Sequence, residues 1–334
     1  ALPVVAVATE ALRDGAPAIW EDNPDNICYY HEQGDKSAIE AAFAAATHVV
    51  HQDLWINRVS ANSMEPRGAL GVYDAFEDRY TLYSGLQTPH RNRADIADNI
   101  LHIPETKMRV VANDVGGSFG MKGGTYREQP LVLWAAKKVG RPVKWLSDRS
   151  EALLTDNHAR DNQTAAELAL DADGKIMGLR VKTVVNVGGQ LSSRGPHSGI
   201  ANLGTLSGTY VLPSIYVQVT GAFTNSGSTS AYRGAGRPEA AYVIERMLDI
   251  AADELNIDPA EIRRRNTIPR ISEPYDTGFI FTYDSGDFGK NMEIALEMAD
   301  YTGFEARRVE AKTRGKLRGI GISNTIEQAA GKGY

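Results

Sequence analysis

The sequence has almost no cysteine. Cys28 is the single one in 334 residues, which excludes an internal disulfide and any zinc or iron–sulfur cage built from this chain's own thiols. Such sparing use of thiols fits a reducing, cytoplasmic compartment. Positive charge is not in excess either. Thirty-six lysines and arginines face 42 aspartates and glutamates, a net charge of −6, so the basic footprint of a nucleic-acid binder is missing. No apolar run approaches the ~20 residues that span a bilayer. Internal repeats and low-complexity tracts are absent. No GxxxxGK[ST] or GxGxxG stretch occurs, which removes the Walker A and dinucleotide-binding readings. The chain opens Ala1-Leu2-Pro3 without an initiator methionine or a signal-like segment, and closes Gly331-Lys332-Gly333-Tyr334. The expectation is a fragment of a longer protein.

Glycine is what the sequence has in excess: 32 residues, about a tenth of the chain against a usual ~7%. Two clusters stand out. In the first, a strand over 108–115 leads into Gly116-Gly117-Ser118-Phe119-Gly120-Met121-Lys122-Gly123-Gly124, and a helix follows over 127–139. Strand, glycine loop and helix together offer backbone N–H groups to an anion. In the second, Ala231-Tyr232-Arg233-Gly234-Ala235-Gly236-Arg237 runs into a helix with Pro238 in its first turn, where the missing N–H costs nothing. Ala241, Ile244, Met247, Leu248, Ala251 and Leu255 keep helical spacing. The free N–H groups of that helix start, with Arg233 and Arg237 beside them, form an anion site. A tight turn with two solvated arginines accounts for the same residues equally well.

The remainder reads as alternating strands and helices. Residues 1–36 are irregular, with a short strand at 4–7. A helix occupies 37–47 and strands 48–56, 69–73, 79–83 and 143–146. A short helix runs through Ile96 and Leu101. The polar stretch 148–160 is a loop or short helix. A hairpin joins strands 164–170 and 175–185, strands follow within 210–221, and helices cover 260–266 and 291–301. A new strand begins at 317. Arginines 263–265 read as solvated, and Glu65 and Arg67 as a pair across Pro66. The Gly/Ser-rich run 190–209 lines a binding site or is mobile. Gln87, at a strand end before Thr88-Pro89, is placed to point into a cleft, where its amide both donates and accepts. His48 and His51 face opposite sides of a strand and make a poor metal site.

Met64-Glu65-Pro66-Arg67, Gln87-Thr88-Pro89-His90, the GGSFG loop, AYRGAGR and residues 254–266 stand in the order and near the spacings of one family. Over essentially its whole length the chain resembles the molybdopterin-binding large subunits of the xanthine dehydrogenase/aldehyde oxidase family, in particular the form II, carbon-monoxide-dehydrogenase-like ones. The resemblance implies an α+β fold of mixed strands and packed helices. Residues 1–36 would be the exit from a preceding α+β domain and 37–290 the first molybdenum-cofactor-binding domain. Residues 291–316 would be a connector and 317–334 the start of a second cofactor domain.

It further implies a molybdenum–molybdopterin cofactor, in the cytosine dinucleotide form common among bacterial members and shared with the second domain. The metal is held by the cofactor's sulfurs, so no protein ligand to it is expected. Gln87, Gly116, Gly117, Ser118, Phe119, Gly120 and Arg233 would border the cofactor, and Gly123, Gly234 and Ala235 the substrate pocket. The implied reaction is hydroxylation of an electron-poor carbon in a small molecule, with oxygen from water and electrons leaving through [2Fe-2S] centres to FAD on partner subunits or domains. The full complex would be a higher oligomer. The family's general-base glutamate lies in a carboxy-terminal part that this sequence does not include, so the fragment alone is expected to be inactive. Form I carbon monoxide dehydrogenases carry a copper-bridging cysteine where Gly234 stands, and purine-oxidising members carry a phenylalanine near Ala235 and a glutamate at Gly123. Those departures point to an aldehyde or N-heterocycle. Copper-dependent CO oxidation and a non-catalytic domain that binds an anion or partner are the rival readings. A preformed site requires the GGSFG and AYRGAGR loops to meet within ~10 Å, with Gln87 at the rim.

Overall fold

The computed structural model describes residues 3–200 and 203–327. In chain order its elements begin α1 (Ala8–Ala11), β1 (Ile27–Gly34), α2 (Lys36–Ala45), β2 (His48–Ile56), β3 (Gly68–Asp74), β4 (Arg79–Ser84), α3 (Pro89–Ala94) and β5 (Met108–Val111). Then come α4 (Glu128–Val139), β6 (Val143–Leu146), α5 (Arg149–Thr155), β7 (Asn162–Leu170), β8 (Ile176–Gly188), β9 (Ile215–Phe223), α6 (Arg237–Leu255) and α7 (Pro259–Asn266). A two-residue strand pair, β10 (Tyr275–Asp276) and β11 (Thr282–Tyr283), precedes α8 (Phe288–Met298) and α9 (Phe304–Thr313).

Two sheets carry the fold. The larger runs β1-β9-β8-β7-β2 and the smaller β5-β4-β3-β6. Each has one parallel pair, β8 with β9 and β4 with β5, in an otherwise antiparallel arrangement. The apolar stripe of α6 covers the larger sheet, so that Val243, Ile244, Met247, Leu248 and Ala251 join Val181, Val217 and Val219 in one core. Helix α4 covers the smaller sheet with Val132 and Leu133 against Leu82 and Met108. Each such side chain contributes roughly 1.5–3 kcal/mol on burial. The mixed α+β class read from the sequence is the class observed.

Helix ends follow local chemistry. Asp35 caps α2 by accepting from the Ser37 and Ala38 N–H groups. Asn256 ends α6 in the left-handed conformation, and two residues later Asp258 caps α7, with Pro259 in its first turn.

The fold departs from the sequence reading in several places. Residues 27–34 form an edge strand. Its half-exposed residues Tyr30-His31-Glu32-Gln33 carry no hydrophobic alternation, because only β9 pairs with it. Residues 4–7 form no strand and lead into α1. Residues 317–322 form no strand either. Ile322 is held by Arg263 of α7 and Asn324 by Glu245 of α6 rather than by a sheet, and the rest of the expected domain start, 328–334, lies outside the described residues. Finally, Arg263 is not solvated but fully buried. It donates to Glu245 Oε2 at 2.9 Å, Asp249 Oδ1 at 2.9 Å and the carbonyls of Pro259, Glu245 and Ile322. Two carboxylates and three carbonyls offset the loss of water around the cation. Arg264 and Arg265 do stay at the surface, paired with Glu293 and Glu261.

Candidate functional site

The parallel register of β4 and β5 brings their carboxyl ends to the same edge of the smaller sheet, so the loop bearing Gln87 and the GGSFG loop leave side by side. Gln87 Oε1 accepts from Ser118 Oγ at 2.7 Å and from the Gly120 N–H at 3.0 Å. The Gln87 N–H donates to the Lys122 carbonyl at 3.1 Å, and Thr88 Oγ1 donates to the Gly123 carbonyl at 2.8 Å. A backbone N–H can only donate, so the Gly120 contact fixes which end of the carboxamide is oxygen. The Gln87 NH₂ is therefore the end left over, and it makes no hydrogen bond to a described residue.

The loop is bent by left-handed residues: Gly117 at φ +100°, Phe119 at +54° and Gly120 at +100°. Among the described residues, the N–H groups of Gly117, Ser118 and Phe119 have no hydrogen-bond partner. Successive free N–H groups of this kind form an anion-binding concavity. A brace holds the loop from below. Lys122 is almost fully buried, and its Nζ donates to Glu65 Oε2 at 2.7 Å. The same oxygen accepts from the Gly116 N–H at 3.0 Å, and the Glu65 N–H donates to the Gly116 carbonyl at 3.1 Å.

Glu65 and Arg67 do not pair, because each is engaged elsewhere. Arg67 donates to Asp156 Oδ1 at 2.6 Å, Glu128 Oε2 at 2.8 Å and Thr155 Oγ1 at 2.8 Å, and its guanidinium lies 3.8 Å from the Tyr126 ring centre. It thereby ties the entrance of β3 to α4 and α5.

The second glycine cluster arrives from the larger sheet and touches the first. The Arg233 N–H donates to the Phe119 carbonyl at 2.8 Å, and a Cβ on Gly120 would stand 2.6 Å from the Ala231 carbonyl oxygen. A Cβ on Gly123 would stand 3.9 Å from Gln87 Oε1. Gly116 to Gly120, Gln87, Gly123 and the Arg233 backbone thus lie together where the two loops meet. Arg233 is exposed, and its guanidinium makes no hydrogen bond to a described residue. Gly234 at φ +88° and Ala235 at +35° complete the turn into α6.

The start of α6 is not an open anion site. Buried Glu239 supplies its own carboxylate, with Oε2 accepting from the Gly236 N–H at 3.1 Å. Arg237 is turned toward the Gly234 carbonyl and Glu327. Behind the loop, Arg160 donates to the Arg233 carbonyl at 3.0 Å, lies 5.0 Å from the Tyr232 ring centre and reaches to 3.4 Å from Glu239 Oε1. Burial raises the pKa of the Glu239 carboxyl above the usual carboxylate range, and the Arg160 charge opposes that rise.

Sequence reasoning missed four residues here. Lys122 was legible as the lysine closing GGSFGMK. Glu239 stood three residues after Gly236, the spacing of a capping box. Arg160, in the left-handed conformation with its neighbour Asp161, had no local signal. Arg194 lay in the Gly/Ser-rich run, where only a lining role for the whole stretch was legible. Among the described residues, no group of three or more histidines, cysteines or carboxylates is arranged to hold a metal ion, and no helix is long and apolar enough to cross a membrane.

A family model for the molybdopterin cofactor-binding domain matches residues 19–267. The carbon monoxide dehydrogenase large chain of Hydrogenophaga pseudoflava is 36% identical over 350 aligned positions, spanning 99% of this chain and 43% of that one. The nicotine 6-hydroxylase large subunit of Paenarthrobacter nicotinovorans is 31% identical, spanning 94% of this chain and 38% of that one. Among solved structures, reconstituted CO dehydrogenase from Oligotropha carboxidovorans superposes with a TM-score of 0.87 at 32% identity, covering 95% of this chain and 41% of that one. Quinoline 2-oxidoreductase from Pseudomonas putida 86 superposes with a TM-score of 0.87 at 28% identity, covering 94% and 40%. The chain spans about two fifths of the length of these relatives.

Proposed function

The chain belongs to the molybdopterin cofactor-binding domain family, and on that premise we propose that it is the first cofactor-binding part of the catalytic large subunit of a molybdenum hydroxylase. One observation carries the reading: the Arg233 N–H to Phe119 carbonyl bond at 2.8 Å, which joins the two glycine loops. The residues present fit the cofactor. Three free N–H groups at 117–119, the Gln87 NH₂ and the Arg233 guanidinium are all donors, and all lie in the loops that meet here. Such a set suits a group rich in oxygen and sulfur acceptors.

When bound, the molybdenum cofactor supplies the two-electron oxidation that places a water-derived oxygen on an electron-poor carbon. The chain's own residues bind and orient. Gln87 holds its amide with the donor end outward because Ser118 and Gly120 occupy the acceptor end. The Glu65–Lys122 brace fixes the loop that carries the free N–H groups. Gly123, Gly234 and Ala235 border the substrate space with little bulk, which fits an aldehyde or N-heterocycle. Gly234 carries no thiol, and the chain's one cysteine sits in edge strand β1, so copper held through a protein thiolate has no ligand here.

The same reading assigns 37–290 to the first cofactor domain, 1–36 to the lead-in, 291–316 to a connector and 317 onward to the opening of a second domain that shares the cofactor. It takes the cofactor in its cytosine dinucleotide form, FAD and [2Fe-2S] on partner subunits or domains, a higher oligomer and a cytoplasmic location. Elemental analysis of the full-length subunit, matured with its partner chains, tests the core of it. Stoichiometric molybdenum is expected, and its absence from a correctly matured complex sinks the proposal.

A further inference from the structure

Arg194 stands in the Gly/Ser-rich run between β8 and β9, and it is half-buried. Its Nη1 lies 3.0 Å from where a Cβ on Gly123 would be, and that same Cβ position is 3.9 Å from Gln87 Oε1. The guanidinium therefore packs over Gly123, in the space a side chain at 123 would need, and lies near Gln87. Its buried Nε has no hydrogen-bond partner, and it forms no ion pair with a described carboxylate. Asp95 is the acid whose field it feels, but Asp95 accepts from Thr125 Oγ1 at 3.3 Å and sits 3.9 Å from Arg91. Burial first, and the Arg91 charge second, disfavour the Arg194 cation. A half-desolvated cation with no counter-ion is costly to keep, and an arriving carboxylate relieves that cost through a fork of charge-assisted hydrogen bonds.

We propose that Arg194 is the carboxylate-recognition residue of the site, so that the electron-poor compound oxidised here bears a carboxylate that pairs with this guanidinium. As a statement about substrate this rests on the hydroxylase reading, while the binding itself does not. A phosphate or other anionic part of the cofactor is a second source of the same chemistry, and the test separates the two.

Benzoate and neutral benzamide are titrated by calorimetry into the full-length subunit with its partners, in molybdenum-loaded and molybdenum-free preparations. The wild type should bind benzoate about 10–100-fold more tightly than Arg194→Ala, the range expected for a hydrogen bond to a charged group. Benzamide should bind both alike. Gly123→Glu places an internal carboxylate against Nη1 and should remove the benzoate preference with Arg194 intact, and Arg194→Lys should keep part of it. Equal benzoate affinity in the wild type and Arg194→Ala overturns the proposal. So does Arg194-dependent binding that disappears on loading, since the cofactor then holds the arginine. Missing molybdenum with Arg194-dependent benzoate binding intact fails the hydroxylase reading alone.

Discussion

The Arg233 N–H and the Phe119 carbonyl meet at 2.8 Å, so the two glycine loops are joined backbone to backbone rather than through side chains. The approach is possible because Gly120, at φ +100°, has no Cβ to meet the Ala231 carbonyl 2.6 Å away. Gly120→Ala should therefore cost about 1–3 kcal/mol and separate the loops. Gly140→Ala is the control. Its φ of +64° is also left-handed, but nothing lies within 4 Å of the new methyl, so conformational strain of about 1 kcal/mol acts alone. Urea denaturation of both variants measures the difference. Equal losses would mean that close contact between the loops contributes nothing.

Gln87 offers a cleaner separation of binding from stability. Gln87→Glu keeps an oxygen for Ser118 Oγ and the Gly120 N–H but replaces the outward NH₂ with an acceptor. Stability should stay within about 0.5 kcal/mol, as at most exposed positions. Molybdenum retention by the full-length subunit after dialysis should weaken about 10–100-fold, through one lost donor and the repulsion that replaces it. Retention equal to wild type would remove Gln87 from the cofactor's surroundings.

The fold was legible wherever periodicity was strong. The stripe Ile244-Met247-Leu248-Ala251 and the alternating pair β7 and β8 stand out because one face of each is buried. Edge strand β1 was not legible, because a strand paired on one side and half wet needs no apolar alternation. Both glycine loops could be read locally, since their residues serve backbone geometry. Arg160 and Arg194 could not. Each reaches the site from a segment distant in sequence, and a lone arginine in a polar run looks the same whether it is solvated or buried. Arg263 failed for a related reason: three successive arginines on a helix read as a solvated face until Glu245 and Asp249, from another helix, are placed beside the first of them.

That cluster makes a strong stability prediction. Arg263→Ala leaves Glu245 and Asp249 without their counter-ion and should cost about 3–5 kcal/mol. Arg264→Ala, which removes an exposed pair with Glu293, should cost about 0–1 kcal/mol. Because Arg263 also holds the Ile322 carbonyl, and Glu245 Oε1 accepts from the Asn324 N–H at 3.0 Å, the first variant should expose residues 317–327 to limited proteolysis. Chemical denaturation and cleavage mapping test the pair together. Similar losses in both variants would show that burial of Arg263 contributes no more than a surface contact.

Glu239 links the loop to pH. Burial raises its folded pKa above the unfolded carboxylate value, and Arg160 at 3.4 Å only partly opposes this. The folded state therefore holds the proton more tightly than the unfolded state does. Stability from this group is fully present below the ordinary carboxylate pKa and is lost as pH rises through the raised folded value. Glu239→Gln keeps an acceptor for the Gly236 N–H and cannot ionise. The wild type should match or exceed this variant at the acid end of the window and fall relative to it toward neutrality. Melting temperatures of both proteins between the ordinary carboxylate range and pH 7 read the difference directly. A difference that stays flat across that range, or moves in favour of the wild type as pH rises, would show that the Arg160 charge outweighs burial and that Glu239 is ionised throughout.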